Sequence, residues 1–259
     1  MPFNISIPVS KILVVSGTPW TNTSDLISLD SSQTQCSVED FPLELYGTVG
    51  FTSAQGPVVC GGKELLFDTS YNKQCFVLKA NQWKPWSQMT TSRAEASSIQ
   101  INATHTLILG GYKENVIHLN SSEIVNANGA TRSIDFPVTI TLHCILKYNE
   151  TMGVITGGSQ NRSLSPAKSY LLNLDTLDIT SGPRLQIARG SHGCGSFKLG
   201  SKTYGIIGGG NGYDGYLDST EILDLEQVNP KWNDGKQKYF SALTFVSFFG
   251  LQDQSYLED

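Results

Sequence analysis

Short apolar runs separated by polar turns recur along the chain, and four of them end in a pair of glycines. Each run has the length and composition of one buried β-strand. The runs cover residues 57–62, 107–111, 154–158 and 205–209, and their glycine pairs are Gly61 and Gly62, Gly110 and Gly111, Gly157 and Gly158, and Gly208 and Gly209. The first glycines lie 49, 47 and 51 residues apart, and a degenerate copy ends at Ser16 and Gly17. This pattern predicts an all-β chain built from a repeat of about 50 residues.

A second apolar run follows each glycine pair after 13 or 14 residues. Two of these runs carry a hydroxyl residue followed by an acid, at Glu123 and Glu221, whereas Tyr170 takes the place of the acid in another copy. Trp232 follows Glu221 by eleven residues, and Trp86 holds the corresponding place in an earlier copy. We expect these two tryptophans to lie on outer strands and to fill the wedge between neighbouring sheets.

Each copy is expected to fold into one four-stranded sheet with an inner strand, the run that ends in glycine, a third strand and an outer strand. A sheet of this size cannot cover both of its faces alone, so the sheets should stack radially around an axis. Glycine pairs suit the end of a buried strand because they allow positive φ and the close approach of another backbone. We therefore predict a single domain over residues 1–259, with blades at about residues 11–42, 46–89, 94–137, 140–183 and 190–233.

The order of apolar run, glycine pair, Ser-Glu strand and Trp resembles the kelch repeat of β-propellers. The resemblance covers roughly residues 11–233, and the stretch from Cys36 to Trp86 looks most like kelch-type propellers of secreted invertebrate proteins. The chain departs from the kelch pattern in three outer strands without Trp and in Ser16, which replaces the first glycine of its pair. The resemblance implies a kelch-type β-propeller, and the departures leave its blade geometry open.

The number of blades depends on how the ends of the chain meet. We expect five four-stranded blades, with residues 239–249 returning as the inner strand of the first blade beside residues 11–16. Such closure leaves no exposed sheet edge. The alternative is an incomplete six-bladed propeller, since kelch propellers commonly have six blades and the tail matches no repeat closely.

The five cysteines include two pairs that the repeat brings together. Cys60 ends a second strand and Cys75 opens the neighbouring third strand, so a disulfide there would close a 15-residue loop and contribute ~3 kcal/mol. Cys144 and Cys194 hold matching places on the inner strands of adjacent blades and could also pair, or remain as buried thiols. Cys36 is left over as a single or intermolecular thiol. The alternative is a reduced cytoplasmic protein in which all five are free.

Charge and glycosylation motifs narrow the choice of compartment and partner. The net charge of −5 without a basic stripe argues against a nucleic-acid partner, and no apolar run reaches the roughly 18 residues of a membrane span. Residues 1–4 and the six-residue apolar stretch from Ile12 do not make a signal peptide, so we expect either that the leader is absent from this chain or that the protein is intracellular. Asn-x-Ser/Thr acceptors in predicted turns and loops nevertheless favour an extracellular protein over a cytoplasmic one. The candidate glycosylation sites are Asn22, Asn102, Asn120, Asn149 and Asn161, and a further motif begins at Asn4.

Two functions from different classes fit a kelch-type propeller. We expect a non-catalytic module, without a cofactor, that binds a protein or a glycan through the face formed by second-to-third strand loops and blade-crossing loops. The alternative is a galactose-oxidase-like copper enzyme, but the four histidines are scattered and His105 falls at the opposite end of the blades. Arg93 and Arg189 could instead bond to loop carbonyls, and residues 210–216 could be only a solvated turn. The candidate binding residues are Arg93, Tyr112, Arg189, His192, Asn211, Tyr213 and Tyr216.

Overall fold

The computed structural model describes residues 11–17, 21–28, 38–64, 70–160, 163–164, 167–238 and 250–251. Within these ranges the chain is all-β, and four-stranded antiparallel sheets follow one another as the blades of a propeller-like arrangement. The predicted fold class is therefore confirmed at the level of a β-propeller of four-stranded sheets. The described residues form four such sheets, whereas we predicted five.

The first repeat accounts for the difference, because it forms a three-stranded sheet that we call the N-terminal sheet. Its central strand is β1 (Lys11–Gly17), which pairs on one side with β2 (Thr21–Ser28). On its other side β1 pairs with the strand Gly250–Leu251, where Ile12 lies opposite Gly250. The outer strand expected around Cys36 and the closing strand expected at residues 239–249 both lie outside the described residues.

The second and third repeats form blades I and II. The second repeat contains β3 (Leu45–Tyr46), β4 (Val49–Ser53), β5 (Gly56–Cys60), β6 (Lys63–Glu64), β7 (Gln74–Lys79) and β8 (Gln82–Gln88). The third contains β9 (Ser97–Gln100), β10 (Thr106–Leu109), β11 (Tyr112–Lys113), a 3-10 turn (Glu114–Val116), β12 (Ile117–His118), β13 (Ser121–Asn126) and β14 (Gly129–Asp135). From inner to outer edge, blade I runs β4-β5-β7-β8 and blade II runs β9-β10-β13-β14.

The fourth and fifth repeats form blades III and IV. The fourth contains β15 (Cys144–Asn149), β16 (Met152–Thr156), β17 (Ser159–Gln160), β18 (Ser163–Leu164), β19 (Ser169–Asn173) and β20 (Ile179–Ser181). The fifth contains β21 (Gly193–Leu199), β22 (Lys202–Gly208), β23 (Asn211–Gly212), β24 (Gly215–Tyr216), β25 (Ser219–Leu223) and β26 (Trp232–Lys238), and β27 is Gly250–Leu251. Blade III runs β15-β16-β19-β20, and blade IV runs β21-β22-β25-β26.

A short ribbon extends each blade beyond its glycine pair. In blades II to IV the ribbons are β11-β12, β17-β18 and β23-β24, whose strands both follow the glycine pair; in blade I the ribbon is β3-β6, in which β3 precedes the inner strand and β6 follows the glycine pair. In blades II to IV the chain just before the inner strand also bridges to the ribbon, as Ala94 does to Tyr112. The ribbons therefore place residues from two separate parts of each repeat side by side at one end of the blades.

The glycine pairs hold neighbouring blades together through their backbones. The N–H of Gly62 donates to the carbonyl of Arg93 in the crossing to the next blade, at 2.8 Å. Gly110 has φ +65°, and a Cβ added to it would collide with the carbonyl oxygen of Ile140. In the last copy the positive-φ pair is Gly209 and Gly210, because the first glycine of that run still belongs to β22. The predicted pair of Gly208 and Gly209 was therefore wrong by one residue.

The buried tryptophan of blade I is not the one that counting predicted. Trp83 lies opposite Leu78, as Trp232 lies opposite Leu223, and both indole rings are buried. Trp86 is half-buried and packs against the cluster between blades I and II, where its ring meets Phe51. A fixed count of eleven residues fails because the loop between the last two strands is longer in blade IV. The prediction that these tryptophans lie on outer strands and pack between sheets is therefore confirmed for Trp232 and Trp86, but the counterpart of Trp232 in blade I is Trp83.

The apolar core lies between the sheets rather than within them. Each of four clusters joins side chains of two neighbouring sheets. Between blades III and IV, for example, Leu146 and Val154 pack with Ile207, Leu223 and Trp232. Each fully buried side chain of this size contributes about 1.5–3 kcal/mol, so most of the stability depends on contacts between repeats.

Both predicted disulfides are present, and the second shows how blades can be cross-linked. Cys60 and Cys75 face each other across β5 and β7. Cys144 lies opposite Thr156, the residue that precedes the glycine pair of blade III, but the residue at that level in blade IV is Gly193, opposite Gly208, and Cys194 comes one position later. Because successive strand residues point to opposite faces of a sheet, this offset places the two sulfurs between the facing surfaces of blades III and IV. The matching places that we predicted would have pointed in the same direction.

Candidate functional site

The loop-rich face is the end of the blades where the ribbons and the blade-crossing loops lie. Residues that precede the inner strands join successive blades around it. Gly47, Glu95, Leu142 and Ser191 have φ values of 65°, 55°, 56° and 53°. The N–H of Glu95 donates to Gly47 O at 2.7 Å, that of Leu142 to Glu95 O at 3.2 Å, and that of Ser191 to Leu142 O at 2.8 Å. This arc of hydrogen bonds fixes the blades relative to one another at the face.

Arg93 is buried beneath the loop-rich face and is not exposed on it. Its side chain is buried against Glu123, with Nη2 2.8 Å from Oε1. Nη1 donates to the carbonyls of Gly110 and Ser121 at 2.8 and 3.0 Å. The prediction that placed Arg93 on the binding face is therefore wrong, and the alternative of bonding to loop carbonyls is confirmed.

Glu123 in turn fixes the loop that crosses from blade I to blade II. Its carboxylate accepts the backbone N–H groups of Thr90 and Thr91 at 2.6 and 2.8 Å. Burial opposes ionisation, but the hydrogen bonds from Thr90 and Arg93, the positive charge of Arg93 and the hydrogen bond from Thr91 together lower the pKa of Glu123. A groove in the face lies between this loop and Lys113 and Ile117 of the blade II ribbon, so the buried ion pair holds one wall of the groove.

Arg189 and Glu221 repeat this arrangement in blade IV. Nη2 of Arg189 lies 2.9 Å from Oε1 of Glu221, and Nη1 donates to the carbonyls of Gly209 and Ser219 at 2.9 and 3.1 Å. The carboxylate accepts the backbone N–H groups of residues 186 and 187 at 2.7 and 3.1 Å. Like Arg93, Arg189 is 0% exposed in its side chain and is a structural residue.

His192 is buried as well, which corrects its predicted place on the binding face. Its Nε2 shares a hydrogen bond with the hydroxyl of Thr156 at 2.8 Å, and its ring lies against Gly157. Burial, with smaller effects from Arg189 and His143, lowers the pKa of His192 to about 3. Burial lowers the pKa of His143 to about 3 in the same way. Both rings are therefore neutral at physiological pH and fill space between blades.

An aromatic cluster at the face lies between blades I and II. We call it the mouth cluster, and it consists of Tyr46, Lys63, Tyr71, Glu95, Tyr112, His118 and Thr141. The hydroxyls of Tyr46 and Tyr112 share a hydrogen bond at 3.0 Å. Nζ of Lys63 lies 5.8 Å and 5.7 Å from the ring centres of Tyr46 and Tyr71. Tyr112 meets Tyr71 edge to face at 5.6 Å between ring centres, and His118 lies on its other side at 6.3 Å.

The cluster also contains a carboxyl group that titrates near neutrality. Burial raises the pKa of Glu95 to about 7, although a hydrogen bond from Thr141 and the charge of Lys63 favour the ionised form. Thr141 Oγ1 donates to Glu95 Oε2 at 3.1 Å. Burial, and then the hydrogen bond with Tyr46, raise the pKa of Tyr112, so its phenol stays protonated. The cluster therefore offers hydroxyl groups, one ammonium and aromatic edges to a ligand.

The ribbons of blades II and IV expose large side chains on the same face. Tyr213 and Tyr216 are 70% and 71% exposed on the β23-β24 ribbon, where Tyr216 pairs with Asn211. Val116 and Ile117 are exposed at the tip of the blade II ribbon. Of the predicted binding residues, the structure thus places Tyr112, Asn211, Tyr213 and Tyr216 on the face, with Tyr112 in the mouth cluster and the other three on the blade IV ribbon.

Sequence reasoning missed most of the mouth cluster. Tyr46 and Lys63 pair across the β3-β6 ribbon, although 17 positions separate them in the chain. Their place relative to the glycine pair could have revealed them, because Ala94 and Tyr112 occupy the same levels in blade II. Repeat position was therefore a usable signal that residue type alone did not provide.

The described residues contain no helix long and apolar enough to span a bilayer. They also contain no group of three or more His, Cys, Asp or Glu side chains placed to hold a metal ion. No protein-family model matches the chain, and no curated protein is similar enough in sequence to assign it to a family. The resemblance to kelch repeats thus rests on the sequence pattern alone, and the structure shows a propeller-like arrangement of four-stranded sheets.

Proposed function

We propose that this protein is a non-catalytic, kelch-type propeller that binds a macromolecular ligand through its loop-rich face. The observation that carries the proposal is the exposed pair Tyr213 and Tyr216 on a short, hydrogen-bonded ribbon. Tyrosine gives a large contact area with little loss of side-chain entropy, and it is enriched among residues that dominate binding energy. More than two thirds of each side chain is exposed, so most of the surface of both rings is accessible to a ligand, which supports a role in binding.

A protein ligand fits the exposed surface better than a glycan does. Val116 and Ile117, on the blade II ribbon, add exposed aliphatic area to the same face. Aliphatic side chains pack against apolar protein groups, whereas sugars are held mainly by aromatic stacking and polar contacts. The mouth cluster, with Tyr46, Lys63 and Tyr112, would supply the polar contacts that fix the register of a bound protein.

The test is binding by the purified full chain and by matched surface variants. Arrays of secreted proteins and of glycans are probed with the chain itself, with Tyr213→Ser/Tyr216→Ser, and with Val228→Ser as the control. Val228 is 96% exposed but lies in the loop between β25 and β26, at the opposite end of blade IV. We expect the tyrosine variant to lose at least tenfold in affinity and the control to bind normally. Equal affinities of the two variants would contradict binding through Tyr213 and Tyr216. A ligand found only among glycans would contradict the proposal of a protein ligand.

The galactose-oxidase-like alternative draws little support from the positions of the histidines. His105 lies in the turn between β9 and β10, at the opposite end from His118. His143 and His192 are packed between blades as neutral rings. Stoichiometric copper in the purified protein, together with oxidation of the primary alcohol group of a sugar, would favour the enzyme over the binding module.

We also propose that the protein folds in an oxidising compartment and is extracellular. Two disulfides support this, because such bonds persist in secreted proteins and are rare in the cytosol. Protein isolated from its native source should then show one reactive thiol after denaturation, from Cys36, and four further thiols after reduction. Five reactive thiols before reduction would exclude the proposed compartment.

A further inference from the structure

Two of the glycosylation motifs fall in equivalent turns of adjacent blades, at the end opposite the loop-rich face. Asn102 lies between β9 and β10 in blade II, and Asn149 lies at the end of β15, before the turn to β16, in blade III. All three residues of each motif, 102–104 and 149–151, are exposed. A bulky glycan can therefore be attached at either turn without displacing any part of the core.

The two asparagines also share their local hydrogen bonding. Asn102 Oδ1 accepts the N–H of Thr104 at 3.0 Å and its hydroxyl at 3.1 Å. Asn149 Oδ1 accepts the N–H of Thr151 at 3.0 Å and its hydroxyl at 3.2 Å. In both turns the described hydrogen bonds of the carboxamide use its oxygen, so the nitrogen that would carry a sugar is not needed to hold the turn.

The motifs at Asn22 and Asn120 differ because their hydroxyl residues are buried. Ser24 accepts a hydrogen bond from the indole N–H of Trp83 at 3.0 Å, and Ser122 is buried at the start of β13. Once these strands have formed, neither hydroxyl is available to a modifying enzyme. Asn161 lies outside the described residues.

We infer that Asn102 and Asn149 are N-glycosylated and together cover the turn side of blades II and III. In the reaction Nδ2 attacks the anomeric carbon of a lipid-pyrophosphate-linked oligosaccharide. The C1–N bond forms as the bond from C1 to the pyrophosphate oxygen breaks, the lipid pyrophosphate leaves, and Nδ2 loses one proton to a base of the transferase. The inference rests on the proposed oxidising compartment, but it does not depend on the proposed binding activity.

The test is expression of the full chain in animal cells behind a cleavable secretion leader, followed by mass spectrometry of its peptides. Only chains with a cleaved leader are analysed, because cleavage shows that they entered the compartment. We expect glycan on most copies at both Asn102 and Asn149. Thr104→Val and Thr151→Val should each remove one glycan, whereas Thr104→Ser and Thr151→Ser keep the hydroxyl and should retain it.

Leader-cleaved chains that are unmodified at either asparagine would overturn the inference. Higher occupancy at Asn22 or Asn120 than at Asn102 and Asn149 would also overturn it, because buried hydroxyls would then be no hindrance. The thiol count of the native protein tests the compartment separately, so the two failures can be told apart. Ligand binding is likewise separate, since Tyr213 and Tyr216 lie at the other end of the blades.

Discussion

Blades II and IV differ from blades I and III in how they fill the same buried position. In blades II and IV a buried Arg from the crossing loop meets a buried Glu on the third strand, as Arg93 meets Glu123 and Arg189 meets Glu221. The residues opposite these glutamates, Ile108 and Ile207, are the second-to-last residues of the second strands, so the register is the same in both blades. The buried Arg–Glu ion pair therefore occurs at the same repeat position in blades II and IV.

Blades I and III fill the position with apolar side chains. Leu45 and Phe76 take the places of Arg and Glu in blade I, and Ile140 and Tyr170 take them in blade III. Both pairs belong to clusters between blades. A second aromatic ring supports each: Phe41 meets Phe76 edge to face at 5.4 Å, and Phe136 meets Tyr170 at 5.5 Å.

The crossing loops change together with these pairs. Thr90 and Gln186 each donate a backbone N–H to the glutamate of their blade. Pro42 and Pro137 hold the same position, three residues before Leu45 and Ile140, and proline has no N–H to donate. Each loop therefore carries a donor only where a buried carboxylate can accept it.

This comparison shows that the buried charges occur together: each Arg meets its Glu, and each Glu also accepts hydrogen bonds from the crossing loop. The desolvation cost of a buried ion pair often cancels its Coulomb attraction, so a well-packed apolar pair can replace it without loss. A single missing partner leaves a charge or a polar group unsatisfied. The Arg, the Glu and the loop residue that donates to it should thus behave as one unit, and substitutions that replace one member at a time test this directly.

The largest effect should come from breaking the ion pair of blade II. Arg93→Leu leaves Glu123 buried without its cation and should lower the free energy of unfolding by roughly 3–5 kcal/mol. Urea unfolding of the full chain, followed by tryptophan fluorescence, measures this loss.

The matched control is Arg93→Leu/Glu123→Phe, which copies the pair found in blade I. We expect it to recover most of the loss and to lie within about 2 kcal/mol of the original protein, because the apolar pair can fill the site. A double variant as unstable as Arg93→Leu would show that the two kinds of blade are not interchangeable.

The disulfide between blades III and IV links one blade of each kind. Cys144→Ala/Cys194→Ala should lower the free energy of unfolding by about 4 kcal/mol, because the bridge closes a loop of 50 residues. Cys60→Ala/Cys75→Ala is the control within one blade and should cost less, since its loop is 15 residues long. Chemical denaturation under non-reducing conditions compares them, and a larger loss for the shorter loop would refute the argument from loop length.

Blades III and IV should make the stability of the protein sensitive to acid. They have the buried histidines His143 and His192 at the positions that Thr48 and Ala96 occupy in blades I and II. The folded pKa of His143 and of His192 is about 3, against 6.5 in the unfolded chain, so the unfolded chain binds more protons between these values. Stability should therefore fall as the pH drops below about 6.5, with a slope on the order of 1.4 kcal/mol per pH unit for each histidine.

Glu95 has the opposite effect on the pH dependence of stability. Its pKa is raised to about 7, so the free energy of unfolding falls as the pH rises from 4.5 to 7. Two histidines outweigh one carboxyl, so the net slope between pH 4.5 and 6.5 should be positive. Unfolding midpoints in urea across this range measure it, and His143→Leu should reduce the slope. A flat profile in the original protein would contradict burial of the two neutral rings.

The smallest effect concerns the crossing loop alone. Thr90→Pro in the original protein removes one N–H from Glu123 and should cost about 1–2 kcal/mol. The same change in the Arg93→Leu/Glu123→Phe background should be neutral or stabilising by about 0.5 kcal/mol, because no carboxylate is left to accept and proline restricts the unfolded chain. Equal costs in both backgrounds, measured by urea unfolding, would show that loop and pair are independent.

The repeat could be predicted from the sequence because its main signals are local. Short apolar runs, glycine pairs and their spacing of about 50 residues indicated four-stranded sheets, and the pairing of Cys60 with Cys75 followed from adjacent strands. Places where loop length varies were harder to predict. Trp83 and Gly210 were missed because counting from a fixed point ignores the longer loops of blade IV and the three successive glycines at 208–210.

The candidate site was harder, because burial cannot be inferred from residue type. The residue types of Arg93, Arg189 and His192 suit a binding face, yet each side chain is buried among residues from other parts of its repeat or from a neighbouring blade. Tyr46, Glu95 and the rest of the mouth cluster come from separate turns that carry no common motif.

By itself the sequence determined an all-β repeat protein, the strands of each repeat and the residues at their glycine-bearing ends, since these depend on neighbours in the chain. Only the tertiary structure decided which polar residues are enclosed, which cysteines face each other across blades, and which tyrosines reach solvent. The physical reason is that the apolar core lies between repeats, so the environment of a side chain depends on a blade encoded about 50 residues away.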